Sequence, residues 1–409
     1  LTIEKTYFYG HIPIEFEMDE AMQEDILTTF PPPKLNIDDE HIDIQNVATN
    51  TIIEARVLLN DFQIHLTKHH KQFIRARFSN HTGTINAVIW DNNGEVDVNK
   101  PLLETYSVFD IKGKVTSFNN YKSITIISLS PCEEEINPFS LLPHTAHNLQ
   151  SLTIELFAYL HELASPFKEI SFAAMNRFWS QFRMSPAAKG FHHNYLGGLL
   201  KHTVGLMRFA RYILKMEEDH FQAIIKLIHI VEKAHKKELW HALKASEQRP
   251  QFIWKDTIDH LYEMFEGMVP LKDKMPKYDV VMTSILFHDI GKLLEYDHAG
   301  QTYDEFEFLF PTATDTDFED RKQTGITMDE LGVMVGHIPY GLLMLTKIIE
   351  DEAINVSIYD LHAMAHCILC HHGRPEWGSS VSRPQTIEGY IIHIVDYLDS
   401  RYERTETVK

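Results

Sequence analysis

The sequence predicts an α+β multidomain protein in which a small N-terminal β-barrel precedes an all-α domain. Three observations predict it. Apolar–polar alternation of period two is confined to residues 51–131. From residue 149 onward apolar side chains recur at helical spacing, with no alternating stretch of any length between them. Histidines and acids then recur inside those helical segments. At 409 residues the chain is also too long for one compact core.

Residues 1–50 hold 11 acids against 2 lysines and include Pro31-Pro32-Pro33. They read as an acidic N-terminal arm or linker, extended over 15–50. In residues 51–131, "IIEARVLLNDFQIHL" is β-branched and apolar. "QFIRARFSN" puts Phe73, Arg75 and Arg77 on one face and Ile74, Ala76 and Phe78 on the other. "HTG" turns the chain into "TINAVIWD", which alternates again, a hairpin signature. "SVFDIKGKVTSFNNYKSITIISL" adds two strands around Asn119-Asn120. Several short strands in about 80 residues predict a small barrel. Phe73, Trp90, Phe118 and Tyr121, with Arg75 and Arg77, are candidates to stack bases and pair phosphates. Core packing is the competing role for each aromatic, above all for Trp90 at a strand end. Residues 132–150 read as a linker. Residues 151–409 read as one helical domain, diluted by charged segments near 217–277 and 298–325.

Formal net charge is −20, which by itself disfavours nucleic acid. The barrel segment departs from this, with 9 basic and 7 acidic residues, a net of +2. No run of 18 apolar residues suggests a membrane span. The acidic beginning lacks the pattern of a secretory signal, and three cysteines argue against a disulfide framework. A cytoplasmic protein is expected.

Five sites stand out in the helices: His202, His288-Asp289, His337, His371-His372 and Asp396. Burying so many imidazoles and carboxylates in one core is costly unless each has a partner. Divalent metals are the economical common partner. The stretch "HCILCHHG" also spells a haem-attachment pattern, a thiol pair and half of a zinc site. Its cysteines, Cys367 and Cys370, lie late in an apolar helix that stops at Gly373. They read as small core residues, which leaves the chemistry to His371 and His372.

The order His…His-Asp…Asp, with "HDIGK", resembles the HD-domain superfamily of metal-dependent phosphohydrolases; His337 and His371-His372 resemble its two-metal subset. The resemblance implies that His202, His288, Asp289 and Asp396 hold one ion. Asp289 would bridge to a second, held by His337, His371 and His372. Manganese is the implied metal, with iron, cobalt, magnesium or nickel as alternatives. Asp289 and Lys292 are the catalytic candidates. Lys292 would face the site as a phosphate ligand, the alternative being a solvated lysine.

The blocks "SPAAKGFHHNYLGGLLKHT", "LGVMVGHI", "CHHGRPEWGS" and "RPQTIEGYIIHIVDYLD" are similar to those of the YhaM-type 3′-to-5′ exoribonucleases. In those proteins an OB-fold, which the barrel segment also resembles, precedes the HD domain. The resemblance implies single-stranded RNA or DNA as substrate, nucleoside 5′-monophosphates as products, and a homo-oligomer. Substrate contacts are expected at His192, His193, Arg374 and Arg383, beside Arg75, Arg77 and Tyr121. Three departures stand against it. The interval from His202 to His288 is 86 residues, so 217–277 reads as an insertion, as does 298–325. The acidic arm has no family counterpart. Two other functions compete: an HD-type phosphodiesterase or phosphohydrolase of a cyclic dinucleotide or nucleotide, although Gly-Tyr-Pro does not follow the histidine pair, and a relaxase-like nucleic-acid-processing factor of a mobile element.

Overall fold

The computed structural model describes residues 5–33, 42–44, 46–118, 121–134, 141–142, 147–187, 195–245, 255–297, 303–313, 327–329, 331–377 and 380–403. His192 and His193 lie outside the described residues, as do the side chains of Phe118 and Tyr121.

The acidic arm is not extended where it is described. Two short strands, β1 (Thr6–Tyr7) and β2 (Ile12–Pro13), pair antiparallel. Helix α1 (Glu20–Thr29) follows, with the Asp19 carboxylate accepting from the Met22 amide at 2.8 Å, a cap for one of the unpaired first-turn donors. Tyr7, Phe8, Ile12, Ile26 and Phe30 are buried in the core of the helical half. Phe30 stacks on Phe157 with ring centroids 4.0 Å apart. Net charge misled here because the described acids occupy exposed positions, while Tyr7, Phe8, Ile12, Ile14, Ile26 and Phe30 turn inward.

The barrel strands are β3 (Ile52–Leu66), β4 (Gln72–Asn80), β5 (Gly83–Trp90), β6 (Val108–Phe118) and β7 (Tyr121–Pro131), with helix α2 (Glu95–Thr105) between β5 and β6. They close in the order β3-β4-β5-β7-β6. β5 pairs parallel with β7 and every other pair is antiparallel, the connectivity of an OB-fold. Val57, Ile74, Ala76, Phe78, Ala87, Phe109, Val115 and Ile124 fill the interior. The opposite parity points outward. In register, Phe73 faces Trp90 and Arg75 faces Val88 across β4 and β5. Trp90 therefore is not a core residue. It is 42% exposed and lies beside Phe73, centroids 5.0 Å apart. Strand parity decides its direction; its size does not.

The helical half comprises α3 (Leu149–His161), α4 (Phe167–Phe182), α5 (Gly198–Arg211), α6 (His220–Ala245), α7 (Lys255–Met268), α8 (Tyr278–His288), α9 (Lys292–Glu295), α10 (Tyr303–Leu309), α11 (Gly332–Val335), α12 (His337–Asp351), α13 (Ile358–Cys370) and α14 (Ile387–Tyr402). Helix α8 is buried on every side from Val280 to His288, as its mostly apolar sequence, broken only by Thr283 and Ser284 before the terminal His288, requires of a central helix. Helices α4, α5, α12, α13 and α14 pack around it. Arg208 of α5 forks onto Glu155 of α3 with two bonds of 2.7 Å, a buried pair whose geometry offsets its desolvation. Segment 217–277, read as an insertion, forms α6 and α7, and α7 packs on α14. A two-residue ladder, Tyr296–Asp297 with Thr327–Met328, interrupts the helices beside the partly described segment 298–325. Among the described residues no helix is long and apolar enough to cross a membrane.

Gly291, in "HDIGK", marks where α9 meets α12. A Cβ there would run into the His337 carbonyl and lie 2.8 Å from the Gly341 amide. Both obstacles are backbone, so neither can move aside. Gly291→Ala is expected to lower stability by about 1–3 kcal/mol, read by denaturant unfolding of the full chain.

Candidate metal centre

Helix ends and helix faces converge on one residue. α8 terminates in His288, and Asp289 follows it directly. α5 brings His202 and α14 brings Asp396. His337 opens α12 immediately after Gly336, whose φ is +82°. α13 ends at Cys370, and the turn closed by Gly373 (φ +79°) presents His371 and His372. A side chain on Gly373 would enter the His393 ring, so the turn needs glycine for space as well as for φ.

Two donor groups result. On one side, His202 Nε2 lies 3.3 Å from His288 Nε2, 3.2 Å from Asp396 Oδ1 and 3.6 Å from Asp289 Oδ2. His288 Nε2 is 3.4 Å from the same Asp289 oxygen. On the other side, Asp289 Oδ1 is 3.6 Å from His337 Nε2 and 3.9 Å from His371 Nε2. His372 completes that group, whose donor atoms lie within 4.8 Å of one another. The Asp289 carboxylate thus presents one oxygen to each group.

The other ring nitrogens are anchored. Nδ1 of His288 meets the Ile285 carbonyl at 2.6 Å, and that of His371 meets the Ile368 carbonyl at 2.7 Å. Nδ1 of His202 meets Asp399 Oδ2 at 2.7 Å, and that of His337 meets Glu295 Oε2 at 2.6 Å. A ring that donates from Nδ1 turns the lone pair of Nε2 into the centre. Asp289 Oδ1, His337 Nε2 and His371 Nε2 are buried with no hydrogen-bond partner. Electron pairs left unmet at one point are costly in a protein interior. The donor set, imidazole with carboxylate, fits a divalent cation as the missing partner.

The electrostatics are consistent with this. Burial alone would raise the Asp289 carboxyl, but the Lys292 ammonium and the surrounding imidazoles hold it well below the usual range. Asp396 is likewise held down to about 2 against its burial, chiefly by His202. Burial pushes His288 down, and pushes His371 and His372 well down, so these rings are neutral, the form that ligates. His202 is the exception: its bonds to Asp396 and Asp399 outweigh burial and hold it up at about 9. A cation there takes the place of that proton. Lys292 is no solvated lysine; its Nζ donates to Asp289 Oδ2 at 2.6 Å and to the Ala187 carbonyl.

Several residues escaped the sequence reading. Asp399 is fully buried, holds His202, accepts the Tyr7 hydroxyl and lies 3.6 Å from Lys201 Nζ. It stands one helical turn beyond Asp396 in "DYLD", a spacing that placed it on the same face. Glu295 and Tyr7 gave no such signal. His393 donates from Nδ1 to the His371 carbonyl at 2.6 Å, and its Nε2 meets His260 Nε2 of α7 at 3.0 Å.

The predicted substrate contacts are scattered. Arg374 pairs with Glu263, its guanidinium 5.5 Å from the Trp377 ring centroid, while Arg383 pairs with exposed Glu376. Arg75 and Arg77 are exposed on the barrel, the latter 2.6 Å from Asp61. Cys367 and Cys370 are fully buried, and burial pushes both thiols up, Cys370 to about 12; they are inert core.

Residues 257–401 match the HD domain family. That stretch holds every candidate ligand position except His202, and the chain is an HD-superfamily hydrolase. Beyond the HD domain, the chain is similar over most of its length to proteins named 3′-5′ exoribonuclease YhaM. The one from Shouchella clausii is 21% identical, over 85% of this chain and 83% of that protein. Those of Listeria welshimeri and Bacillus subtilis are each 19% identical, over 83% and 85% of this chain, and 82% and 85% of the relative. Among solved structures, the second OB-fold domain of replication protein A from Methanococcus maripaludis aligns with 24% of this chain and 98% of its own, at 13% identity and a TM-score of 0.19.

Because separate carboxylates anchor the two groups, the groups are separable. Asp399→Asn should weaken cation binding on the His202 side by about 10–100-fold, and Glu295→Gln should do so on the His337 side. Tyr7→Phe, which removes only the hydroxyl on Asp399, should reproduce the first effect more weakly. Manganese titration calorimetry reads all three, and a single binding step affected alike by both carboxylate variants would contradict the division.

Proposed function

We propose that this chain is a 3′-to-5′ exonuclease that shortens single-stranded RNA and releases nucleoside 5′-monophosphates. The observation that carries this reading is the division of Asp289 between two donor groups. Two divalent ions held there, manganese in this reading, supply activation of water and charge neutralisation at phosphorus. The residues of the chain do the rest. The anchored imidazoles keep their Nε2 atoms fixed, so no reorganisation is needed when a phosphodiester arrives. Lys292 sets a permanent positive charge at the edge of the centre, where charge builds on the phosphate oxygens.

The barrel supports a polymeric substrate. His65, Phe73 and Trp90 form an outward row, with centroids 5.5 and 5.0 Å apart in succession. Arg75 and Arg77 follow on the same face of β4. Stacking rings beside guanidiniums suit single-stranded nucleic acid, and this face of an OB-fold is the usual one. A cyclic dinucleotide would not need it. The named relatives, exoribonucleases with which the chain aligns over both domains, favour RNA. Three unpaired cysteines suit a cytoplasmic enzyme, and assembly as a homo-oligomer is part of the same proposal.

The test uses 5′-labelled single-stranded RNA and DNA with manganese. RNA should yield a ladder that shortens from its 3′ end, lost with chelator and in Asp289→Asn. Intact polymer beside hydrolysed cyclic dinucleotide would overturn the reading, and so would tight strand binding with no turnover. On the barrel, Trp90→Ala should weaken strand binding by about 1–3 kcal/mol while leaving cation content unchanged, measured by fluorescence anisotropy and elemental analysis.

A further inference from the structure

Beside the donor groups lies a cavity of about 440 Å³ that neither the ligand set nor the barrel uses, within the size range of small-ligand sites. Its walls come from three places: α7, the turn after the histidine pair, and α14. His260 is central, with its ring 4.7 Å from Trp377 and 5.0 Å from Tyr397. Trp377 and Tyr397 are near parallel, at 20°. Trp377 is 48% exposed although it stands in this aromatic corner. Two guanidiniums flank the rings: Arg374 is 5.5 Å from the Trp377 centroid and Arg401 is 5.8 Å from that of Tyr397. Both arginines line the cavity, as do the carboxylates of Asp259 and Glu263, the latter paired with Arg374.

The cavity is tied to the donor groups. Tyr397 directly follows Asp396, and Arg374 stands two residues after His372. His260 bonds His393, which bonds the carbonyl of His371. A ligand pressing on His260 therefore presses on the turn that presents the histidine pair.

We propose that this cavity is a nucleotide subsite, which takes the 3′-terminal nucleotide with its base on Trp377, the exposed ring of the corner. A ring with one open face stacks any base. The Arg401 guanidinium holds the attached phosphate, Glu263 keeps Arg374 beside Trp377, and Asp259 accepts hydrogen bonds from sugar hydroxyls while repelling a further phosphate. An inorganic anion alone would use only part of this lining. That the nucleotide is a chain end rests on the exonuclease reading; that a nucleotide binds here does not.

The experiment compares two probes on the full-length, manganese-loaded protein by calorimetry: adenosine 5′-monophosphate and ribose 5-phosphate. They share a phosphate, so the metal centre treats them alike, and the difference between them reports the base. Adenosine 5′-monophosphate should bind about tenfold tighter to the native protein. The gap should close in Trp377→Ala, and Arg401→Gln, at an exposed position, should weaken both probes several-fold. Equal binding of the two probes to the native protein would overturn the proposal, and so would a gap that persists in Trp377→Ala. If RNA is not shortened but the gap is present and closes, the subsite stands and the exonuclease reading falls. If RNA is shortened and no gap is found, only the subsite falls.

Discussion

Everything at the centre depends on one carboxylate that two sets of imidazoles share. Asp289 is buried and ionised, and its two oxygens face different groups. An isolated carboxylate in that position would be intolerable. It is sustained by Lys292, by the imidazoles around it and, in the working protein, by cations. Its place is set by α8, a mostly apolar helix buried on all sides at the middle of the bundle. The surrounding helices pack on α8 and so deliver their ligands to its end.

The fixed rings extend this constraint outward. The Nδ1 atoms of His288 and His371 are held within their own helices, but that of His202 ties a ligand to a remote part of the chain. Through Asp399, His202 depends on Tyr7, and so on the hairpin at the beginning of the described chain. Through His393 and His260, the histidine pair depends on α7. The N-terminal segment and the α6–α7 segment both look peripheral in sequence, yet both buttress the centre. Close backbone contact does the same work at Gly291, where α9 and α12 touch without side chains between them.

The fold was legible where its signals are local. Strand parity is a property of neighbouring residues, and it put Phe73, Arg75 and Arg77 on one face correctly. The helical period marked the second half, and the histidine pattern brought out the ligand positions that the structure gathers. What could not be read is long-range. Tyr7 and Asp399 are 392 residues apart and meet only after folding. Glu295 has no spacing that signals its bond to His337. Averaged charge hid the inward apolar residues of the arm, and the strand-end place of Trp90 suggested a core that its parity forbids. Residues 217–277 read as an insertion from the 86-residue interval between His202 and His288, and that spacing carries no sign that α7 leans on α14.

The central claim is that Asp289 joins two cations into one centre. Electron paramagnetic resonance of the manganese-loaded full-length protein tests it most directly. A pair of ions sharing a carboxylate a few ångströms apart, about 3.5–4 Å in two-metal sites generally, should give an exchange-coupled spectrum, lost when Asp289 becomes asparagine. Two independent six-line signals, or a single ion per chain at saturation, would contradict it.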